Sequence, residues 1–238
     1  GSTRTPWRAL VMQAFPLFLA AVAVGPTVAT SASGVNGCQG PASCAYDHMA
    51  PRLTSTVAGV PGTKGRTGNN GPASEALLDS PVGITVDPTR RLLYVAESGS
   101  HAVRLVSLAN GTISTAAGVH GSYGQAGYGL PPDLQQLHTP HGAHVVREAR
   151  LLYVADTGNH VIRSVDSGTS LLRTVAGVLG SAGLSGDGGP AASAQLASPR
   201  GVVVDPAGRV LFIADTNNHA LRAVDLVTGV ISTLAGVL

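Results

Sequence analysis

The chain has 238 residues, of which 12% are charged and 4% aromatic, and its formal net charge is +2. Three of the 15 basic residues and one of the 13 acidic residues precede residue 53, so the remainder carries 12 of each sign. A neutral, aromatic-poor chain lacks the basic surface and the stacking side chains of nucleic-acid binders, which excludes nucleic acid as the expected partner.

The first 33 residues have the pattern of an export signal. Arg4 and Arg8 precede an apolar run at 9–25, and small residues follow at 27–34. A basic start, a short apolar run and small residues before a cleavage point are typical of a secretory signal peptide. We therefore expect residues 1–33 to be a signal peptide, with a membrane anchor as the alternative, and the protein to be secreted or held at the cell surface.

Two covalent modifications follow from that location. Cys38 and Cys44 are the only cysteines of the chain and lie in a linker, residues 34–52. A pair of cysteines in an exported chain predicts a small disulfide loop. Asn110 begins an Asn-Gly-Thr sequon, so it is a candidate glycosylation site.

The rest of the chain, residues 53–238, is built from a 59-residue repeat. The motif "AESGSHAVR" at 96–104 recurs as "ADTGNHVIR" at 155–163 and as "ADTNNHALR" at 214–222. We call these nine residues the repeated motif. Copies in constant register, with no insertion between them, indicate one structural unit repeated in tandem. The predicted units are residues 60–118, 119–177 and 178–236.

Each unit predicts four short strands and a long connector. In the first unit, apolar and β-branched segments at 83–87, 92–96, 102–108 and 112–118 are separated by turn residues. Glycine-rich connectors join one unit to the next, and each is expected to contain a short helical turn. Four antiparallel strands repeated around an axis describe a β-propeller blade, so the predicted fold class is all-β, with about three blades.

The three copies of the repeated motif resemble NHL repeats. The segments "ADTGNHVIRSVD" and "ADTNNHALRAVD" carry the resemblance, and "GDGGPAASAQLASPRGVVVDP" at 186–206 is similar to the long-connector type found in extracellular and bacterial proteins and in teneurin-type propellers. The resemblance implies a ring of commonly six blades, closed by strand sharing, with ligands bound on its faces. It implies no single activity.

That resemblance makes the present blades a partial ring. The segment "LTSTVAG" at 53–59 matches the fourth strand of a blade and has no first three strands before it. Three blades and an unpartnered strand are fewer than a closed propeller needs. We therefore expect that these residues are a fragment of a longer chain, or that two copies associate to complete a six-bladed ring.

An acid and an arginine recur in every blade and are expected to be structural, because catalysis normally needs one constellation rather than one per blade. The acid ends the second strand and the arginine follows seven residues later on the third. The pairs are Glu97 with Arg104, Asp156 with Arg163, and Asp215 with Arg222. The turn histidines His101, His160 and His219 are expected to satisfy the backbone of the turn between them.

Functional residues are sought where the copies differ at one position. The residue after the strand-entry proline is Val82, His141 or Arg200. In a propeller the first strand lines the central channel, so these residues are candidates for ligand binding at the channel mouth. His138 and His144 flank His141 and are further candidates.

A metal site at these histidines is the alternative. Neutral imidazole is a common zinc ligand, and the amidating lyase that resembles this fold places zinc-binding histidines after such a proline in several blades. Only His141 matches that pattern, whereas Val82 and Arg200 depart from it. The expectation is therefore a histidine cluster without bound metal.

The sequence favours a binding module over an enzyme. It shows no set of nucleophile, base and orienting group, and no cofactor is expected. We predict an exported propeller that binds a protein or a glycan on a blade face. The alternatives are a metal-dependent lyase using His141 and a structural ectodomain segment of a larger surface receptor.

Overall fold

A computed structural model describes residues 54–125, 130–146 and 149–237. These residues form strands and single 3-10 turns, with no α-helix among them. The strands are β1 (Gly71–Pro72), β2 (Pro81–Asp87), β3 (Leu92–Glu97), β4 (Ala102–Ser107), β5 (Thr112–Ala117), β6 (Ala143–Val146), β7 (Leu151–Asp156), β8 (Val161–Asp166), β9 (Leu171–Ala176), β10 (Gly201–Val204), β11 (Val210–Asp215), β12 (Ala220–Asp225) and β13 (Ile231–Ala235). The 3-10 turns are Ala73–Glu75, Pro132–Leu134, Thr157–Asn159, Ala191–Ser193 and Thr216–Asn218.

The strands form three antiparallel sheets, one per repeat. Strands β2–β5, β6–β9 and β10–β13 each pair in chain order, and the two-residue β1 adds to β5. In every sheet the pairing of the third and fourth strands shifts register immediately before the arginine of the repeated motif. The predicted all-β fold with four-stranded blades is confirmed.

The core lies between successive sheets. Tyr94 and Val103 of the first blade pack with Leu152 of the second in one apolar cluster. Ile162 of the second blade packs with Leu211 of the third in another. Because the middle sheet is covered on both faces, its strand β7 is buried along nearly its whole length. A strand buried on both sides is a continuous apolar run rather than an alternating one.

The first strand of the first blade leaves apolar side chains in solvent. Val82, Ile84 and Val86 are 51%, 71% and 44% exposed, respectively. The expected strand at 53–59 is wrong for its described part, since residues 54–59 form no strand. A fourth strand forms by pairing with the third strand of its own blade, and none lies beside this segment in the described chain.

The connectors repeat their own geometry. Each contains one parallel bridge (the second is Tyr123 with Leu137) and one 3-10 turn. Gly186 has a φ of +103°, and a Cβ on it would lie 2.5 Å from Ala194 Cα. That position therefore requires glycine. No helix in the described ranges is long and apolar enough to span a membrane.

Candidate functional site

In the third blade the acid and the arginine of the repeated motif are buried and form an ion pair. Asp215 and Arg222 have no exposed surface. Asp215 Oδ1 accepts a hydrogen bond of 2.7 Å from the Ala197 backbone N–H, and its Oδ2 accepts one of 2.7 Å from Asn218. Arg222 Nη1 lies 3.3 Å from the same Oδ2. The carboxylate thus joins the connector, the turn and strand β12.

A second carboxylate covers this arginine from outside. Arg222 Nη2 donates to Asp187 Oδ1 at 2.6 Å, and the Thr233 backbone N–H donates to Asp187 Oδ2 at 3.0 Å. Partial burial raises the pKa of Asp187, but the hydrogen bonds from Thr233 and Arg222 outweigh that effect and leave the pKa below its ordinary value. The guanidinium of Arg222 therefore contacts two carboxylates.

The second blade keeps the acid but changes its surroundings. Asp156 accepts from the His138 backbone N–H at 2.7 Å and from Asn159 at 2.9 Å. Burial raises the pKa of Asp156 to about 6, and the hydrogen bonds only partly offset it. Arg163 donates to Thr174 Oγ1 at 2.7 Å and reaches Gln135 Oε1 at 3.5 Å.

The first blade has a glutamate and a histidine in this position. Glu97 Oε2 accepts a short hydrogen bond from Ser100, and Glu97 Oε1 lies 3.7 Å from Arg104 Nη1. His120 Nε2 lies 3.2 Å from Arg104 Nη1, and its Nδ1 lies 3.0 Å from the carbonyl oxygen of Arg66. Because a carbonyl only accepts, Nδ1 donates to Arg66, and Nε2 lies beside both Arg104 and Glu97, whose Oε2 is 3.4 Å away.

The turn histidines bond to the next blade. His101 Nδ1 accepts from the Thr139 backbone N–H at 3.1 Å, and His160 Nδ1 accepts from Ser198 at 3.1 Å. His101, His160 and His219 all have a left-handed backbone, with φ of 58°, 61° and 53°. The histidine therefore ends the turn and, at the first two copies, also bonds across the blade interface.

The residues after the strand-entry prolines lie along one row of neighbouring first strands. A Cβ on Gly83 would lie 2.1 Å from the His141 carbonyl oxygen, and one on Gly142 would lie 2.4 Å from the Arg200 carbonyl oxygen. Glycine at these positions lets the backbones of successive blades approach closely. We call Val82, His141 and Arg200 the first-strand rim. Val82 and Arg200 are exposed and His141 is half-buried.

The three neighbouring histidines do not converge on one point. His141 Nδ1 hydrogen-bonds the Thr139 carbonyl oxygen at 2.9 Å. His138 lies against His101 instead, and His144 lies in β6, opposite Tyr153. No group of three or more potential metal-binding side chains occurs within the described ranges.

The candidate modification sites fall in different regions. Cys38 and Cys44, like the export signal, lie outside the described residues. Asn110 lies exposed in the turn between β4 and β5. Its Oδ1 accepts from Thr112 Oγ1 at 2.8 Å. Glycosylation at Asn110 stays a prediction.

Comparison with known proteins identifies the repeat. The family model described as "NHL repeat" matches residues 196–223, which include the third copy of the repeated motif. The chain carries NHL repeats. It is 33% identical over 181 residues to the human "NHL repeat-containing protein 2", covering 70% of this chain and 23% of that protein. It is 29% identical over 177 residues to the Arabidopsis thaliana protein "SUPPRESSOR OF QUENCHING 1, chloroplastic", covering 74% of this chain and 16% of that protein.

The NHL chain thus spans about a quarter or less of the length of these relatives. Among solved structures, it is similar to a nidogen/laminin complex, with a TM-score of 0.49 and 16% identity over 68% of this chain and 50% of that chain. A Bacteroides ovatus auxiliary nutrient binding protein also gives a TM-score of 0.49, with 18% identity over 68% of this chain and 37% of that chain.

One aromatic cluster between the first two NHL blades was missed by the sequence reasoning. The rings of His101, Tyr123 and His138 lie with centroids 4.8–5.7 Å apart. Tyr123 is 62% exposed. Burial and then the neighbouring His138 lower the pKa of His101. Alignment of the connectors at the repeat spacing could have found it, since the next copy has Ala182 and Ala197 there.

Proposed function

We propose that this NHL segment is a binding module that engages a protein or glycan ligand at the first-strand rim. The observation that supports the proposal is the close approach of the first strands at Gly83 and Gly142. This close approach lines up one position of each blade, at which the side chain differs from blade to blade. The acid and the arginine of every blade are instead buried in the scaffold. Binding residues commonly lie on variable positions held by a rigid scaffold.

The rim offers three kinds of contact. Val82 supplies apolar surface, and the guanidinium of Arg200 pairs with carboxylate or sulfate groups. The imidazole of His141 supplies a hydrogen-bonding group. A ligand that presents an anionic group beside an apolar group matches this row, and acidic peptides and anionic glycans both have that chemistry.

Metal-dependent lyase chemistry is the weaker candidate. A catalytic zinc uses three protein ligands. The rim contains one imidazole, because Val82 and Arg200 occupy the corresponding positions in the other blades. Binding without catalysis is therefore the function that we propose.

A ligand screen tests the proposal. The full chain is screened against a glycan array and a displayed peptide library, in parallel with the triple variant Val82→Ala, His141→Ala, Arg200→Ala. A variant with exposed changes elsewhere, Glu75→Ala and Val227→Ala, is the matched control. We expect ligands that the control retains and the triple variant loses. Ligands that all three proteins bind equally would place recognition away from the rim.

We also propose that the protein is exported, as the basic, apolar and small residues before Gly34 indicate. Expressed with its natural start, the chain should be recovered outside the cytosol and cleaved at about residues 29–34. N-terminal sequencing measures this directly. Soluble cytosolic protein that retains residues 1–25 would contradict export.

A further inference from the structure

The repeat allows each buried arginine to be compared with its counterparts. Arg104 and Arg222 occupy the same position two repeats apart, and they pair with Thr115 and Thr233 in the neighbouring strand. The connector residue at the matching position is Asn69 in the first blade and Asp187 in the third. A carboxylate of the third blade is thus replaced by a neutral amide in the first.

In the third blade this carboxylate completes the arginine site. Asp187 Oδ1 lies 2.6 Å from Arg222 Nη2. Its side chain is 38% exposed, whereas that of Arg222 has no exposed surface. A carboxylate at the surface therefore reaches the buried guanidinium directly.

In the first blade no carboxylate within the described residues bonds to the corresponding Nη2 of the arginine. Arg104 is fully buried, and its Nη2, which corresponds to the atom of Arg222 that bonds to Asp187, has no hydrogen-bond partner within the described part of the chain, whereas Nε is unpaired in both arginines. Asn69 is exposed, and its Oδ1 accepts from Thr115 Oγ1 at 3.3 Å rather than from the arginine. Arg104 contacts one carboxylate, Glu97, at 3.7 Å.

We propose that the first blade contains a carboxylate-binding site, in which Arg104 binds an external carboxylate beside Asn69. A buried guanidinium with unpaired N–H groups is costly, and a carboxylate forms the strongest hydrogen bonds with it. The external carboxylate occupies the position that Asp187 has in the third blade. The side chain of Asn69 rotates away so that the carboxylate can reach Arg104. The source is a small free carboxylate or an acidic side chain of a partner. This site is separate from the first-strand rim and does not depend on it.

The experiment follows the arginine Nε–Hε resonances and the thermal midpoint of the ¹⁵N-labelled full chain. Sodium formate is the probe, and sodium chloride at equal ionic strength is the reference. The variant Asn69→Asp supplies its own carboxylate, as the third blade does. The matched control is Asn70→Asp, which adds the same charge at an adjacent exposed position.

Formate should shift one arginine resonance of the wild type and of Asn70→Asp in a saturable manner. The apparent affinity of Asn69→Asp for formate should be about tenfold weaker, a difference of roughly 1.4 kcal/mol. Asn69→Asp alone should raise the thermal midpoint without formate. A wild type that responds to formate as it does to chloride would overturn the site, as would an unchanged response in Asn69→Asp.

A second titration distinguishes the two sources. The probes are terminally blocked Gly-Glu-Gly and Gly-Gln-Gly peptides. A response to formate and to the glutamate peptide supports an acidic side chain as the ligand, and a response to formate alone supports a small free carboxylate. A resonance that both the glutamate and the glutamine peptide shift by the same amount would overturn carboxylate recognition.

Discussion

At the scale of the residue, the blades are joined by buried carboxylates. Asp215 accepts hydrogen bonds from the connector before its blade and from Asn218 in the turn after strand β11. It also pairs with Arg222 on the next strand. One side chain therefore connects three segments that are distant in sequence, and loss of it leaves a charged partner buried.

Replacement of Asp215 by alanine should strongly destabilise the chain. Removal of one partner of a buried ion pair typically costs about 3–5 kcal/mol, because the other charge stays buried. Urea unfolding of Asp215→Ala against the wild type measures the loss. The exposed control Glu75→Ala should leave the unfolding midpoint unchanged. A free energy of unfolding within about 1 kcal/mol of the wild type would contradict the role of Asp215.

Asp156 should make stability depend on pH in the opposite direction from an ordinary paired carboxylate. Burial raises the pKa of Asp156 to about 6 in the folded chain, against an ordinary value of 3.8. Between these values the folded state binds the extra proton, so stability falls as pH rises from about 4 to 6 and then levels off. The decrease is about 2–3 kcal/mol.

The measurement compares wild type and Asp156→Asn by urea unfolding between pH 4 and 7. Because the variant has no titrating carboxyl at this position, the difference between the two profiles isolates Asp156. The wild type should lose stability relative to the variant as pH rises. Parallel profiles would show that Asp156 keeps its ordinary pKa.

The repeated residues could be predicted from sequence, but their partners could not. The 59-residue spacing identifies Asp156 and Arg163 as a structural pair. It does not show that Gln135 reaches Arg163, or that Asp187 reaches Arg222. Those partners come from connectors that diverge between copies, so no repeated pattern marks them.

At the scale of the element, the first strands of successive blades are held together through glycine. The backbone of Gly142 approaches the carbonyl of Arg200, and that of Gly83 approaches the carbonyl of His141. A side chain at either glycine would force the strands apart. This contact also sets the spacing of the first-strand rim.

Substitution of Gly142 by alanine should therefore cost more than the same change one repeat later. The added Cβ would lie 2.4 Å from the Arg200 carbonyl oxygen, whereas a Cβ on Gly201 meets only Ala214 Cβ, at 3.2 Å. Overpacking of this kind costs about 1–3 kcal/mol. Urea unfolding of Gly142→Ala and Gly201→Ala provides the comparison. Equal losses in the two variants would contradict the close approach.

The strands themselves were predictable because β-branched and apolar runs alternate with turn residues. The apolar and β-branched run predicts a strand at 83–87, and the structure extends it to Pro81–Asp87. The segment at 53–59 differs, because its described residues form no strand. Its likeness to a fourth strand is a property of its residues, whereas strand formation also needs a neighbouring strand.

At the scale of the whole molecule, the exposed first strand predicts self-association. Ile84 and Val86 alternate along β2, so their exposed side chains lie on one face, and the exposed Val82 precedes them at the register shift between Pro81 and Gly83. Contiguous apolar surface of this kind favours association. Sedimentation equilibrium should show reversible association that Ile84→Lys weakens and the exposed control Val227→Lys does not. A monomer at all concentrations would contradict this prediction.

The rim was identifiable from sequence only as a set of differing residues. Val82, His141 and Arg200 stand out because they follow matched prolines. Their proximity depends on how the sheets pack, which no local pattern contains. The cluster around Tyr123 was missed for the same reason, since its rings come from two blades.

The equilibrium affinity of a screened ligand for the rim tests the central claim most directly. Isothermal titration compares the wild type with the triple variant Val82→Ala, His141→Ala, Arg200→Ala. If the scaffold and the binding residues are separate, affinity should fall about tenfold or more, a change of roughly 1.4 kcal/mol. The urea midpoint should stay unchanged. Equal affinity for the two proteins would contradict the assignment of binding to the first-strand rim.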